Sequence, residues 1–377
     1  MERAPDADVI VVGGGGIGLA CARALAASGR SVLLLERGRT GREATLAAGG
    51  MLSPLAAADG PGPFLSLELD SLRRWPAFAE ELRAESTLDV ELRLEGKLLL
   101  ALDDEAAARL RARHCWLAAA GFRAEWLEST QLGEREPAAG PAVGGLLLPE
   151  EGQVDNRMLA QALRVAAERA GCRIREGVTV TGVLGERGRT HGVRLEDGTE
   201  LSADQVVLAA GAWSGSVAGL PRPLPVRPVK GQMIALRAEA PAPLLRGIVE
   251  SDACYVIPRR GEREARVWVG ATSEEVGFVR GTTAEASGRL HAAAARAVPA
   301  LARARVVEAW DGFRPGTPDG LPVLGEDPAL AGLIHATGHY RNGILLTPVT
   351  AELVAKAALG APEPRVTAFR PDRFEAL

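Results

Sequence analysis

DVIVVGGGGIGLACARALAASGRSVLLLER, residues Asp8–Arg37, decides the fold. An apolar run, Val9–Val12, enters a glycine cluster. The cluster opens an alanine-rich helical pattern, and a second apolar run, Val32–Leu35, ends at Glu36. Strand, glycine turn, helix and strand in that order make a βαβ unit with the spacing G-x-G-x-x-G at Gly13, Gly15 and Gly18. Gly13 permits the tight turn, Gly15 leaves room for a pyrophosphate against the backbone, and Gly18 lets the helix lie close on the strands. The helix N-terminus offers free N–H groups and the positive end of its dipole to phosphates. Glu36, eighteen residues past Gly18, is placed to accept hydrogen bonds from ribose hydroxyls and to repel a 2′-phosphate. The motif predicts a dinucleotide site and by itself leaves NAD and FAD both open.

Composition narrows the setting. A chain of 377 residues accommodates two domains, or one large domain with an insertion. Its 47% hydrophobic and 24% charged residues are those of a soluble globular protein. The net charge is −4 and the arginines are spread along the chain, so no nucleic-acid partner is expected. The start, MERAPDAD, has no signal-peptide core, and no apolar run is long enough to span a bilayer. A cytoplasmic protein with no membrane partner is expected. The cysteines Cys21, Cys115, Cys172 and Cys254 are scattered, which suits a reducing compartment without disulfides or structural zinc. The five histidines form no pair at ligand spacing, so no metal is expected.

Beyond Glu36, GRTGREATLAAGGMLSPLAAADGPGP (Gly38–Pro63) is rich in small residues that let backbone run against a flat ligand. Apolar spacing predicts a helix over 64–86, a strand over 94–102 and a helix over 103–120 capped by Asp103. A short strand at 146–148 and a helix over 156–170, capped by Asp155 and stopped at Gly171, come next. Strands are expected at 173–176, 179–184, 190–195 and 205–209, the last running into Gly211. From 221 to 313 short strands (232–236, 253–257, 267–271) alternate with polar turns around one helix, 283–297. A last strand, 333–336, a turn at Gly338 and a helix over 343–359 return to nucleotide-domain character. The fold class is therefore α/β with α+β elements: a Rossmann-like βαβ domain with an inserted mixed or antiparallel sheet. The expected domains are 1–85, 145–220 and 314–377 for the dinucleotide and 86–144 and 221–313 for the substrate. The loop 314–322, RPGTPDGLP, is a candidate active-site wall.

The helix expected near Asn342–Gly343 follows a strand and can aim its N-terminus at the far end of a dinucleotide. Reducing a flavin places negative charge on its ring, which a helix dipole stabilises; a nicotinamide gains none. This favours FAD.

The chain resembles the D-amino-acid oxidase superfamily of flavin-dependent amine oxidases, and within it the glycine oxidases associated with thiamine biosynthesis. Besides the fingerprint, LAAGGML, VVLAAGAWSG, PVRPVKGQM, CYVIPR, VWVGAT, GFRPGTPDGLPVLG, ATGHYRNGILLTPVTAELV and FRPDRF carry the likeness, from residue 8 to about 374. The resemblance implies FAD contacts at Gly16, Ile17, Glu36, Arg37, Thr45, Gly49, Gly50, Met51 and Val180. It further implies that His339, Tyr340, Arg341, Asn342, Gly343, Ile344 and Leu345 form the segment beneath the flavin. Arg314 matches the arginine that binds the substrate carboxylate, Tyr255 the tyrosine beside it, and Arg341 a second arginine. A guanidinium is the side chain that grips a planar carboxylate bidentately.

The implied reaction is hydride transfer from the substrate α-carbon to flavin N5, with the imine hydrolysed to an oxo acid and ammonia and with H2O2 formed from oxygen. Glycine, sarcosine and small D-amino acids are the implied substrates, and a homotetramer the implied assembly. This chain has Ala253 and Ser273 where the family sequence carries histidine and methionine, so the pocket is expected to differ in size and polarity. A related branch, monomeric sarcosine oxidase, ties FAD to a cysteine; the matching position here is Gly312, so FAD is expected to be non-covalent. Alternatives are an amino-acid or 2-hydroxy-acid dehydrogenase with another electron acceptor, a flavin-binding subunit without catalysis, and an NAD-dependent dehydrogenase.

Overall fold

The computed structural model describes residues 5–58, 60–260 and 264–374. The first four residues of MERAPDAD, Asp59 of the small-residue stretch, and the outer ends of the expected terminal segments lie outside the described residues. In chain order the first nine strands are β1 Ala7–Val12, β2 Val32–Glu36, β3 Met51–Leu52, β4 Lys97–Ala101, β5 Glu125–Glu128, β6 Gly144–Leu148, β7 Gly152–Gln153, β8 Arg173–Glu176 and β9 Val180–Glu186. The others are β10 Arg189–Leu195, β11 Glu200–Leu208, β12 Arg227–Pro241, β13 Ile248–Ser251, β14 Cys254–Arg259, β15 Glu264–Gly270, β16 Arg305–Gly316, β17 Val323–Glu326 and β18 Leu333–Thr337.

One sheet runs β17-β18-β11-β1-β2-β8, with β9 and β10 continuing from β11. Its central strands are parallel: Val9–Val12 pair with Val32–Leu35 on one side and with Gln205–Leu208 on the other. Such strands are covered on both faces and so read as unbroken apolar runs. The helix Gly16–Ala27 packs on one face with the helices Pro63–Ser86, Asn156–Arg169 and Thr347–Ala358, around Leu19, Leu25, Trp75, Leu163 and Val354. The close approach at its start requires glycine: a Cβ on Gly18 would lie 1.9 Å from the Gly13 carbonyl oxygen. Asp103 and Asp155 cap their helices as the sequence predicts, accepting from Ala106 N–H and from Arg157 and Met158 N–H.

The second sheet runs β16-β12-β15-β14-β13-β4-β6-β5 and is mixed, because β13 and β4 pair in parallel within an otherwise antiparallel array. Its outer face packs on the helix Ala284–Ala297 through Ile234, Val256, Leu290 and Ala294. Its inner face carries Met233, Tyr255, Ile257 and Trp268. Two expected boundaries move. Residues Gly145–Leu148 pair with β4 and β5, and Arg314–Gly316 pair with Val229–Arg227, so both belong to the second sheet rather than to the dinucleotide portion. The expected loop 314–322 is thus strand up to Gly316; β16 is an edge strand, where proline is tolerated. The expected helix 343–359 begins only at Thr347, after a run of turns.

Candidate active site

The C-terminal ends of β1, β2, β11 and β18 face the inner side of the second sheet across a cavity of about 660 Å³. Ligands of open α/β sheets bind at these strand ends, and the volume is that of a small-molecule site. Most residues singled out in the sequence meet there: Gly13, Gly15, Gly16, Ile17, Glu36, Arg37, Thr45, Gly49–Met51, Val180, Gly211, His339–Ile344, Ala253, Tyr255, Ser273 and Arg314 all line it. Three do not. Gly18 is turned into the helix–strand contact. Gly338 packs beside Thr317 and Val323. Leu345 is buried, and its carbonyl accepts from Ser71 Oγ at 2.6 Å and Trp75 Nε1 at 2.9 Å.

At the nucleotide end the chain's own backbone forms the site. Gly13 has φ +108°, and a Cβ there would lie 2.4 Å from the Ala209 carbonyl oxygen, so the turn requires glycine. Glu36 Oε2 accepts from Gly14 N–H at 2.7 Å, and Oε1 accepts from Gly38 N–H at 2.8 Å. The Thr45 hydroxyl takes the Gly16 N–H at 2.8 Å. Among the described residues no protein group accepts from the Gly15 and Ile17 N–H groups. Open N–H groups at a helix N-terminus, beside a carboxylate with lone pairs to spare, suit the pyrophosphate and ribose of a dinucleotide.

An aromatic layer closes one side. The Arg37 guanidinium lies 3.6 Å from the Trp213 ring centroid, and Phe278 stacks on that ring at 4.8 Å. Phe278 belongs to an exposed segment, 275–282, whose Arg280 pairs with Glu43, the same carboxylate that Arg37 binds. Trp213, Glu43 and Phe313 line the cavity. None of these three stood out in the sequence, because the contacts join segments with no local pattern between them.

At the other end side chains from separate strands converge. Arg314 on β16 lies flat over Gly231 of β12, where a Cβ would sit 2.3 Å from its Nη1. Nη1 donates to the Thr272 carbonyl at 3.1 Å. Among the described residues no carboxylate pairs with Arg314 or Arg341. Tyr255 on β14 points its hydroxyl over Gly270 and toward Met233 Sδ, 3.6 Å away. Burial pushes the Tyr255 phenol up from its ordinary range, and the nearby Arg314 charge works against that shift. Arg341 is exposed and donates to the Tyr340 hydroxyl at 3.4 Å. Tyr340 takes a left-handed φ of +48°, its N–H bonded to the Pro315 carbonyl. His339 is buried and bonded to Thr350 Oγ1 at 3.0 Å; burial pushes its imidazole down to about 3, so it is neutral. The helix expected to point at this end starts at Thr347, which lines the cavity, while turns at 340–346 intervene.

Two further residues went unread in the sequence. Lys97 on β4 is buried in the cavity wall and pairs with Glu250 at 2.6 Å; Glu250 lies directly across from Tyr255 in the β13–β14 register. The pair makes that wall polar and nearly neutral, beside two cations that have no carboxylate partner among the described residues.

This combination of a doubly covered parallel sheet, a G-x-G-x-x-G turn and a second sheet closing over the strand ends defines a dinucleotide-dependent oxidoreductase. The model of the family "FAD dependent oxidoreductase" matches residues 8–357, and the chain belongs to that family. Its cofactor is FAD. Among curated relatives, the glycine oxidase of Geobacillus kaustophilus (strain HTA426) is 39% identical over 355 residues, covering 92% of each chain. The bifunctional protein ThiO/ThiG of Synechocystis sp. is 38% identical and covers 97% of this chain, which spans 54% of that longer protein. Among solved structures, glycine oxidase from Geobacillus kaustophilus superposes with a TM-score of 0.91 at 36% identity, covering 97% of this chain and 98% of that one. Iminodiacetate oxidase from Chelativorans sp. BNC1 superposes with a TM-score of 0.86 at 28% identity, covering 96% and 98%.

Proposed function

We propose that this enzyme oxidatively deaminates glycine and other small amines, among them sarcosine and small D-amino acids, giving the oxo acid, ammonia and H2O2. The observation that carries this reading is Arg314. It is a guanidinium without a carboxylate partner among the described residues, lying over Gly231 beside a tyrosine hydroxyl at one end of a dinucleotide-sized cavity. Bound FAD supplies the two-electron acceptor, which oxygen then regenerates. Arg314 binds the substrate carboxylate and fixes the α-carbon, so that rate comes from orientation. Tyr255 donates to the same carboxylate, and Arg341 adds charge at the mouth. The amine reacts unprotonated. Burial makes His339, bonded to Thr350, too weak a base to take that proton, which goes to water at the open end. Ala253 and Ser273, both small, leave room for an N-substituent. A side chain at Gly312 would meet Ala47 Cβ at 2.4 Å, which favours non-covalent FAD. Similarity to the ThiO/ThiG protein supports a place in thiamine synthesis, in which the oxidised product feeds thiazole formation. A cytoplasmic homotetramer completes the proposal.

The test is the visible spectrum of the purified protein during anaerobic titration with glycine, sarcosine and D-alanine, followed by air. Bleaching by glycine and return of colour with stoichiometric peroxide is the expected result. A flavin indifferent to all three amines overturns the substrate class. Bleaching that air does not reverse, but a quinone or dye does, makes the enzyme a dehydrogenase.

A further inference from the structure

The carbonyls of Thr45, Leu46, Ala47, Gly49 and Gly50 are held by groups that do not line the cavity. Asn156 Nδ2 donates to the Thr45 carbonyl at 2.7 Å and to that of Leu46 at 3.1 Å. Trp310 Nε1 donates to the Ala47 carbonyl at 3.2 Å, and Val154 N–H to that of Gly50 at 2.9 Å. Arg259, the last residue of CYVIPR, takes the Gly49 carbonyl at 2.8 Å through Nη2. Its Nη1 donates to the Val154 carbonyl at 3.2 Å, and its guanidinium lies 3.7 Å from the Trp268 ring centroid. The side chain is buried, and among the described residues no carboxylate pairs with it. Burial accordingly pushes its guanidinium down to about 10. A lone buried cation is costly, and here its positive charge is spent on backbone oxygens and an aromatic face.

The Gly49–Gly50 peptide is trans, so its N–H points opposite to its carbonyl. The carbonyl faces Arg259, which does not line the cavity, whereas Gly50 does. Among the described residues no protein group accepts from the Gly50 N–H. A charge-assisted bond at one end of a peptide polarises the donor at the other. Gly50 itself has φ +76° and admits no side chain, since a Cβ would lie 2.1 Å from the Val154 carbonyl oxygen. A Cβ on Gly49 would meet Tyr255 Cε2 at 3.4 Å, which sets this peptide at the substrate end of the cavity.

We propose that Arg259 is a positioning residue for the cofactor: gripping the Gly49 carbonyl from behind, it presents a polarised Gly50 N–H to an acceptor atom of the bound flavin ring and so raises the flavin's reduction potential. The ring gains electron density on reduction, so a stronger donor favours the reduced form. The inference rests on FAD as cofactor and not on glycine as substrate.

The experiment is the two-electron midpoint potential of the holoenzyme, by dye equilibration without any amine, in wild type, Arg259→Gln and Arg259→Lys. The Gln variant keeps a donor and loses the charge. About a tenfold loss in the relative stability of reduced flavin is expected, about 30 mV downward. The Lys variant keeps the charge on a single-point donor, and a smaller downward shift is expected. If the Gln variant fails to hold FAD, the Lys variant decides alone. An unchanged or raised potential in whichever variant retains flavin overturns the proposal and leaves Arg259 a packing residue. Because no substrate is present, that failure is separate from failure of the glycine reading.

Discussion

The two ends of the cavity are built in opposite ways. The nucleotide end is mostly main chain, drawn from one continuous stretch: Gly13–Gly18 and Glu36, with the Glu36 carboxylate held by the N–H groups of Gly14 and Gly38. The amine end is mostly side chains drawn from separate strands, with Arg314 on β16, Tyr255 on β14 and the Lys97–Glu250 pair bridging β4 and β13. A main-chain site tolerates side-chain change except at its glycines, and is written locally. A side-chain site can be retuned one residue at a time, and depends on register between strands far apart in sequence.

The contrast can be broken first at the amine end. Arg314→Ala should lower kcat/KM for glycine by about 100-fold or more, on the order of 3 kcal/mol for a lost charge-assisted carboxylate bond, with the flavin spectrum intact. Steady-state kinetics decides it, and an unchanged kcat/KM removes Arg314 from the clamp. Glu36→Ala attacks the other end. FAD affinity should fall by about tenfold, on the order of 1–2 kcal/mol for unsatisfied N–H groups and lost ribose bonds, while kcat at saturating FAD holds. Fluorescence titration of apoprotein with FAD measures it, and loss of kcat instead would blur the division between the ends.

A third prediction sharpens the contrast through pH. Glu151 carries part of the amine-end wall: its carboxylate accepts from Leu55 N–H at 2.6 Å and Ala56 N–H at 3.0 Å. Behind it sits buried Glu68, pushed up to about 8 by burial and then by the Glu151 charge. The folded state holds this proton where the unfolded state has lost it, so wild type should lose stability progressively from about pH 4.5 to about pH 8 and then level off. Glu68→Gln should remove that loss, with a gain in Tm of several degrees at pH 8 and none at pH 4.5. Thermal melts across the range check this; a pH-independent difference denies Glu68 its raised titration. The smallest effect is expected from Phe278→Ala, which removes the stack on Trp213. FAD should dissociate a few-fold faster, about 1 kcal/mol for an aromatic pair, without a change in kcat. Flavin release after dilution into apo-acceptor reads it.

What was legible in the sequence follows the same division. The fingerprint, the caps at Asp103 and Asp155, and the parallel strands were readable because each is settled within a few residues. The start of the last helix was misplaced by four residues, although Pro348 near its first position was the available signal. Arg314–Gly316 read as loop because proline disfavours central strands; only the sheet order reveals that β16 is an edge. Arg259, Lys97 and the Trp213–Phe278 stack were invisible as functional contacts, since their partners are fixed by tertiary packing alone. Arg314, Tyr255 and Arg341 were named only through a family likeness, not through any local rule.

Strand order carries a consequence for biosynthesis. β18 pairs with Val206–Leu208 of β11, and these residues are followed by more than a hundred others before Leu333 is made. On the ribosome that stretch of β11 remains a bare edge, and the turn Gly338–Gly343 that completes the cavity wall does not yet exist. The nascent chain can fold its first βαβ unit early, but it offers no finished berth for a flavin until residues up to Gly343 have been translated, and until then the edge stays exposed.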